Sequence, residues 1–91
     1  AGDAVYECEF YLDKFKKVSL TLETNDVAEV FINGRSAGTR LWNPYSFDLT
    51  RECINGLNHL EIVITSTMSN LFGKQAPSGI SEAPKLIVQR L

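Results

Sequence analysis

Sulfur and imidazole are scarce in these 91 residues: two cysteines, Cys8 and Cys53, one methionine and one histidine, His59. Two thiols are too few for a disulfide scaffold, and their spacing offers no metal-ligand pattern. A Cys8–Cys53 bridge stays open for an exported protein, but small apolar thiols are among the most buried side chains, which favours two free ones. No apolar run approaches the ~20 residues of a membrane-crossing helix. Basic charge is also short, with nine Lys and Arg against eleven Asp and Glu. The nine are scattered, so no face forms the phosphate footprint that a nucleic acid needs. Ala1 to Phe10 holds three carboxylates and no basic group, the reverse of a signal peptide. The chain has no initiating Met and enters a strand pattern almost at once, so it reads as a piece of a longer polypeptide. Residues 1–91 read as a single domain, without repeats, linkers or low-complexity tracts.

At 44% hydrophobic and 22% charged, the composition is that of a globular domain and not a disordered chain. A chain this short buries only a little over ~60% of its unfolded surface, so the core must be thin. Its dominant pattern is period two, the signature of strands. Tyr6, Cys8, Phe10 and Leu12 alternate with Glu7, Glu9 and Tyr11. Beyond a basic turn at Lys14 to Lys17, Val18, Leu20 and Leu22 alternate with Ser19, Thr21 and Glu23. Ala28, Val30 and Ile32 face one way, and Val27, Glu29 and Phe31 the other. Asn33-Gly34 then marks a tight hairpin, because both central residues of a type I′ turn need φ > 0. A two-residue loop sets Ile32 opposite Arg35 and Val30 opposite Ala37.

Trp42-Asn43-Pro44-Tyr45 breaks the returning strand, since proline donates nothing to a ladder. Ser46 to Leu49 reads as a short strand, and Thr50 to Ile54 as one helical turn capped by Thr50. Asn55-Gly56-Leu57-Asn58 reads as a turn. Leu60, Ile62 and Ile64 then point inward. Ser66 to Ala83 is loop-like with Leu71-Phe72 as an apolar anchor, and Lys85 to Leu91 is a last strand. Short strands without a helical period imply an all-β fold, an antiparallel β-sandwich or barrel.

Four segments carry a resemblance. Ala28-Glu29-Val30-Phe31-Ile32-Asn33-Gly34-Arg35-Ser36-Ala37-Gly38 is similar to the strand-Asn-Gly-strand hairpin of the jelly-roll sugar-binding module in the β-galactosidase and β-glucuronidase family. Pro44-Tyr45-Ser46-Phe47-Asp48-Leu49-Thr50 resembles that family's P-x-x-F-D-I-T. Gly56-Leu57-Asn58-His59-Leu60-Glu61-Ile62 resembles its G-x-N-x-L-x-V. The C-terminal stretch, Asn70-Leu71-Phe72-Gly73 with Pro77-Ser78-Gly79-Ile80 and Pro84-Lys85-Leu86, resembles the closing jelly roll of large α-L-rhamnosidase-like hydrolases. The resemblance runs from Tyr6 to Leu91. It implies a galactose-binding domain-like jelly roll, an accessory module in a bacterial glycoside hydrolase that is periplasmic or extracellular. The implied partners are the catalytic domain of the same parent chain and, secondarily, an oligosaccharide. Full jelly rolls of this class are longer, which implies strands absent here or donated by the parent. Cys53 stands where the pattern has an aliphatic residue.

A glycosidase needs two carboxylates facing each other across a cleft. Glu7, Glu9 and Glu61 fall at outward strand positions, where solvent is their ordinary partner. Asp48, beside a turn, suits backbone or hydroxyl hydrogen bonds better than proton transfer. His59 alternates outward with Glu61, and Cys8 sits inward among apolar neighbours that raise a thiol's pKa. The expectation is therefore no catalytic residue, no metal and no cofactor; Asn25-Asp26 and Asp13 alone do not assemble a calcium site. The best binding candidates are Arg40, Trp42, Asn43 and Tyr45, whose rings and polar groups match the C–H faces and hydroxyls of a sugar. Phe31, apolar on the outward side of its strand, and Phe72 are candidates for packing against a neighbouring domain. The alternatives are an independent carbohydrate-binding module and a protein-binding sandwich.

Overall fold

The computed structural model describes residues 3–24, 26–40, 45–65 and 83–91. These form seven strands: β1 (Asp3–Leu12), β2 (Phe15–Leu22), β3 (Val27–Ile32), β4 (Arg35–Arg40), β5 (Tyr45–Asp48), β6 (Gly56–Thr65) and β7 (Lys85–Arg90). No helix occurs among the described residues. The strands build two antiparallel sheets, β1-β6-β3-β4 and β5-β2-β7. Alternation dictates this arrangement: each strand offers one apolar edge row, and only a second sheet can take those rows out of water. The architecture is the antiparallel sandwich that the sequence implies.

The core lies between the sheets. Val30, Ile32, Leu60, Ile62 and Ile64 from the first sheet meet Val18, Leu20, Leu22, Tyr45 and Phe47 from the second, each no more than 5% exposed. Ala37 is half-buried and packs against this cluster. Burying a Leu- or Phe-sized side chain contributes ~1.5–3 kcal/mol, so this interior is the main source of stability.

The hairpin departs from the simple two-residue register. Asn33 and Gly34 do take positive φ, 54° and 82°. Phe31 pairs with Ser36, but Val30 pairs with Gly38 and not with Ala37, because a β-bulge falls between them. Gly38 sits at φ 129°, a backbone that side chains rarely adopt, and so the extra residue is absorbed there. Two turn assignments also shift. Lys16 and Lys17 belong to β2, so the first turn is shorter, and Gly56 to Asn58 already belong to β6.

Thr50 to Ile54 is a turn and not a helix. The Leu49 carbonyl accepts from the Glu52 and Cys53 N–H groups, 3.1 Å each. The cap is Asp48, whose Oδ1 accepts the Thr50 N–H at 3.0 Å and the Thr50 hydroxyl at 2.6 Å. Thr50 Oγ1 in turn accepts the Val18 N–H at 3.0 Å, joining the turn to β2.

Candidate functional site

The proposed sugar-contact group divides. Tyr45 is not a rim residue: it begins β5, is 3% exposed, and donates its hydroxyl to the Asp26 carbonyl at 2.8 Å. Burial, and then the charge of Asp26, raises its phenol pKa above the ordinary value. A ring so enclosed offers no face to a sugar. The signal was present in the sequence, since Tyr45, Phe47 and Leu49 alternate on the inward side, yet Pro44 made the position look like loop. Arg40, at the end of β4, lays its guanidinium 5.1 Å from the centre of the Phe47 ring. Its Nη1 also donates to the Thr39 carbonyl at 3.1 Å. This cation–π contact caps the core beside β4 and leaves the side chain half-buried. Trp42 and Asn43 lie outside the described residues, as does Phe72.

At one end of the sandwich the motif segments meet. Asn58 is fully buried, and its amide is saturated. Its Oδ1 accepts the Ile54 N–H at 2.8 Å and the Asn33 Nδ2–H at 3.0 Å; its Nδ2 donates to the carbonyls of Ile54 at 2.8 Å and Gly56 at 3.2 Å. Asn33 adds a bond from Nδ2 to the Glu52 carbonyl at 3.1 Å and accepts the His59 N–H at 2.9 Å. The hairpin, the 49–53 turn and the start of β6 are thus tied by two side-chain amides. Both amides are used up in holding backbone, and neither is left to hold a ligand.

The carboxylates stand on the outer face of the four-stranded sheet. Glu7 pairs in register with Glu61, and Glu9 with His59. His59 Nε2 lies 3.3 Å from Glu7 Oε1, with both side chains about half exposed, so the imidazole is a surface group. Asp48 is held below the usual carboxylate range by the Thr50 hydroxyl first and the Thr50 N–H second, with the Lys17 charge helping. Among the described residues, no group of three or more His, Cys, Asp or Glu is placed to hold a metal ion.

Cys53 is buried, and burial followed by the nearby Glu52 charge pushes its thiol up to about 11. Cys8 differs from expectation. Its register partner Leu60 is 5% exposed, which places Cys8 on the inward side, yet Cys8 itself is exposed and both thiols are free. Cys8 stands on an edge strand and lines an open groove with Leu20 and Leu86, so an inward position there is not a buried one. Phe31 is on the outer face beside Ser36 and Glu61, as its alternation implies, and is half-buried. Val5 and Leu57, 54% and 58% exposed, stand on the same face.

The fold is that of an antiparallel sandwich module, and solved structures with the same fold are glycoside hydrolases. The chain superposes on a rhamnosidase from Novosphingobium sp. PP1Y with a TM-score of 0.80 and 26% identity, covering 94% of this chain and 11% of that one. A glycosyl hydrolase family 2 member from Bacteroides cellulosilyticus gives 0.78 at 20% identity, covering 98% and 13%. A β-D-mannosidase from Dictyoglomus thermophilum gives 0.59 at 22% identity, covering 78% and 10%. The chain therefore spans about a tenth of the length of the solved chains it resembles. No family model matches the chain, and no curated protein matches it.

Proposed function

We propose that this chain is a non-catalytic β-sandwich module of a glycoside hydrolase, packing against and supporting the catalytic domain of its parent polypeptide. The observation that carries the reading is the superposition on the rhamnosidase, which takes in nearly all of this chain and only a tenth of that enzyme. The described side chains point the same way. The amides of the shared motifs hold backbone, Asp48 is committed to Thr50, and Glu7 leans on a surface histidine. Packing would use the outer face of the four-stranded sheet, where Phe31, Val5 and Leu57 interrupt the polar row. A periplasmic or extracellular site of action, and a bacterial source, follow from this reading.

An NMR titration of the chain with rhamnose, galactose and mannose tests it. The module reading predicts no saturable shifts at millimolar sugar. Saturable shifts centred on Arg40 and its neighbours would replace it with an independent carbohydrate-binding module.

A further inference from the structure

The tripeptide Ile-Asn-Gly occurs twice in this chain, as Ile32-Asn33-Gly34 and as Ile54-Asn55-Gly56. Both copies are primed for the same chemistry. Glycine has no side chain to shield its backbone nitrogen, which can attack the side-chain amide carbon of the asparagine before it. Hydroxide takes the Gly N–H proton, the new N–C bond closes a succinimide ring, and ammonia leaves with a proton from water. A water molecule then opens the ring at either carbonyl, leaving aspartate or isoaspartate. The tripeptide alone therefore ranks the two sites as equals. Exposure does not separate them either: both asparagines are exposed, and both glycines are uncrowded and take positive φ, 82° and 108°.

Hydrogen bonding does separate them. Asn33 is pinned at three points: Nδ2 donates to the Glu52 carbonyl at 3.1 Å and to Asn58 Oδ1 at 3.0 Å, and Oδ1 accepts the His59 N–H at 2.9 Å. Its amide cannot swing onto the Gly34 nitrogen without breaking this set. Asn55 has one bond among the described residues, from the Lys14 N–H to Oδ1 at 3.2 Å. Both oxygens thus accept a backbone N–H, which favours the negative charge that develops there during attack. Only Asn33 has its leaving nitrogen tied as well. We propose that Asn55-Gly56 is a self-modifying site, converting to aspartate and isoaspartate as the protein ages, while the amide network holds Asn33-Gly34 inert. The consequence is local. Asn58 Nδ2 grips the carbonyls on both sides of Asn55, Ile54 at 2.8 Å and Gly56 at 3.2 Å. Isoaspartate routes the main chain through the former side chain and inserts an extra methylene between those carbonyls, so one bond must slip. Aspartate leaves the main chain unchanged. This inference rests on the amide geometry and not on the glycoside hydrolase reading.

Incubation of the chain in warm, mildly alkaline buffer provides the test, followed by tryptic mapping with fragmentation that tells isoaspartate from aspartate. Cleavage after Lys17, Arg35 and Arg51 puts Asn33 and Asn55 on different peptides. In the folded chain Asn55 should convert about tenfold faster than Asn33 or more, since Asn33 must release two further hydrogen bonds. In concentrated urea the two rates should converge, because the tripeptides are identical. A clearly smaller ratio in the folded chain overturns the inference. So does a ratio that persists in urea, because the selectivity then comes from flanking sequence and not from the amide network. The isoaspartate fraction, purified by ion exchange, should unfold at lower urea than the Asn55→Asp variant; equal midpoints overturn the claim that the Asn58 grip slips.

Discussion

Replacing Asn58 with alanine should be among the most damaging single changes in this protein. The side chain is fully buried and makes four hydrogen bonds, two accepted and two donated. Truncation strands the Ile54 N–H, the carbonyls of Ile54 and Gly56, and one Asn33 donor. Each buried group left unpaired costs ~1–3 kcal/mol. Ile54 is 55% exposed, so water can reach part of this cluster and the sum falls short of the maximum. A loss of about 3 kcal/mol is expected, against a total of ~5–14 kcal/mol for a chain this long. At ~4–8 °C per kcal/mol for a domain of this size, Tm should fall by ~12–24 °C. Urea unfolding followed by circular dichroism measures the change, with Leu57→Ala, at an exposed neighbouring position, as the control within ~0.5 kcal/mol. A double-mutant cycle with Asn33→Gly, which keeps the positive φ and removes only the amide, should show non-additivity of ~1 kcal/mol. If Asn58→Ala is no worse than Leu57→Ala, the claim that these amides hold the end of the sandwich is wrong.

Three further outcomes follow from the same geometry. Tyr45→Phe should cost ~0.5–1.5 kcal/mol, the worth of one neutral hydrogen bond, because the ring stays in the core while the bond to Asp26 is lost; a neutral result in urea unfolding would mean the hydroxyl is not committed there. Gly38→Ala should destabilise by ~1–3 kcal/mol, since its Cβ would stand 3.2 Å from Arg40 Nη1 on a backbone at φ 129°; a stabilised variant would refute the bulge. Asp48→Asn tests pH linkage. The folded-state pKa of Asp48 lies below its unfolded value, so its contribution is complete at pH above the usual carboxylate range and is lost as pH falls through the folded pKa. The stability gap between the parent chain and Asp48→Asn should therefore be widest at neutral pH and shrink as the pH is lowered through the acid range, and a gap independent of pH would contradict this.

Period-two burial made most of the fold legible before any coordinates, because Val30, Ile32, Leu60, Ile62 and Ile64 announce their common side through spacing alone. The same rule carried back along β6 puts Asn58 on the inward row. A polar residue in such a row signals a buried, fully bonded amide, and that cue was available but was masked by reading Asn55 to Asn58 as a turn. Tyr45 was misplaced for a related reason, proline outweighing the alternation with Phe47 and Leu49. Other features were not legible at all. The bulge at Ala37 depends on a backbone angle at Gly38 that many hairpins do without. The exposure of Cys8 depends on β1 lying at the edge of its sheet beside an open groove, a property that no local pattern encodes. Of the candidate contact residues, Arg40 belongs to the returning strand that the alternation implies, but its contact with the Phe47 ring arises only when the two sheets come together.

The proposed module reading requires that this sandwich carry no hydrolytic centre, with Glu7, Glu9 and Glu61 on the outer face and Asp48 bonded to Thr50. Direct assay of the chain at high concentration on aryl α-L-rhamnoside, β-D-galactoside and β-D-mannoside tests that claim most simply. Release of the aryl alcohol should stay at the buffer rate. Turnover above that rate that disappears in Glu7→Gln or Glu61→Gln, the two carboxylates paired across β1 and β6, would contradict it.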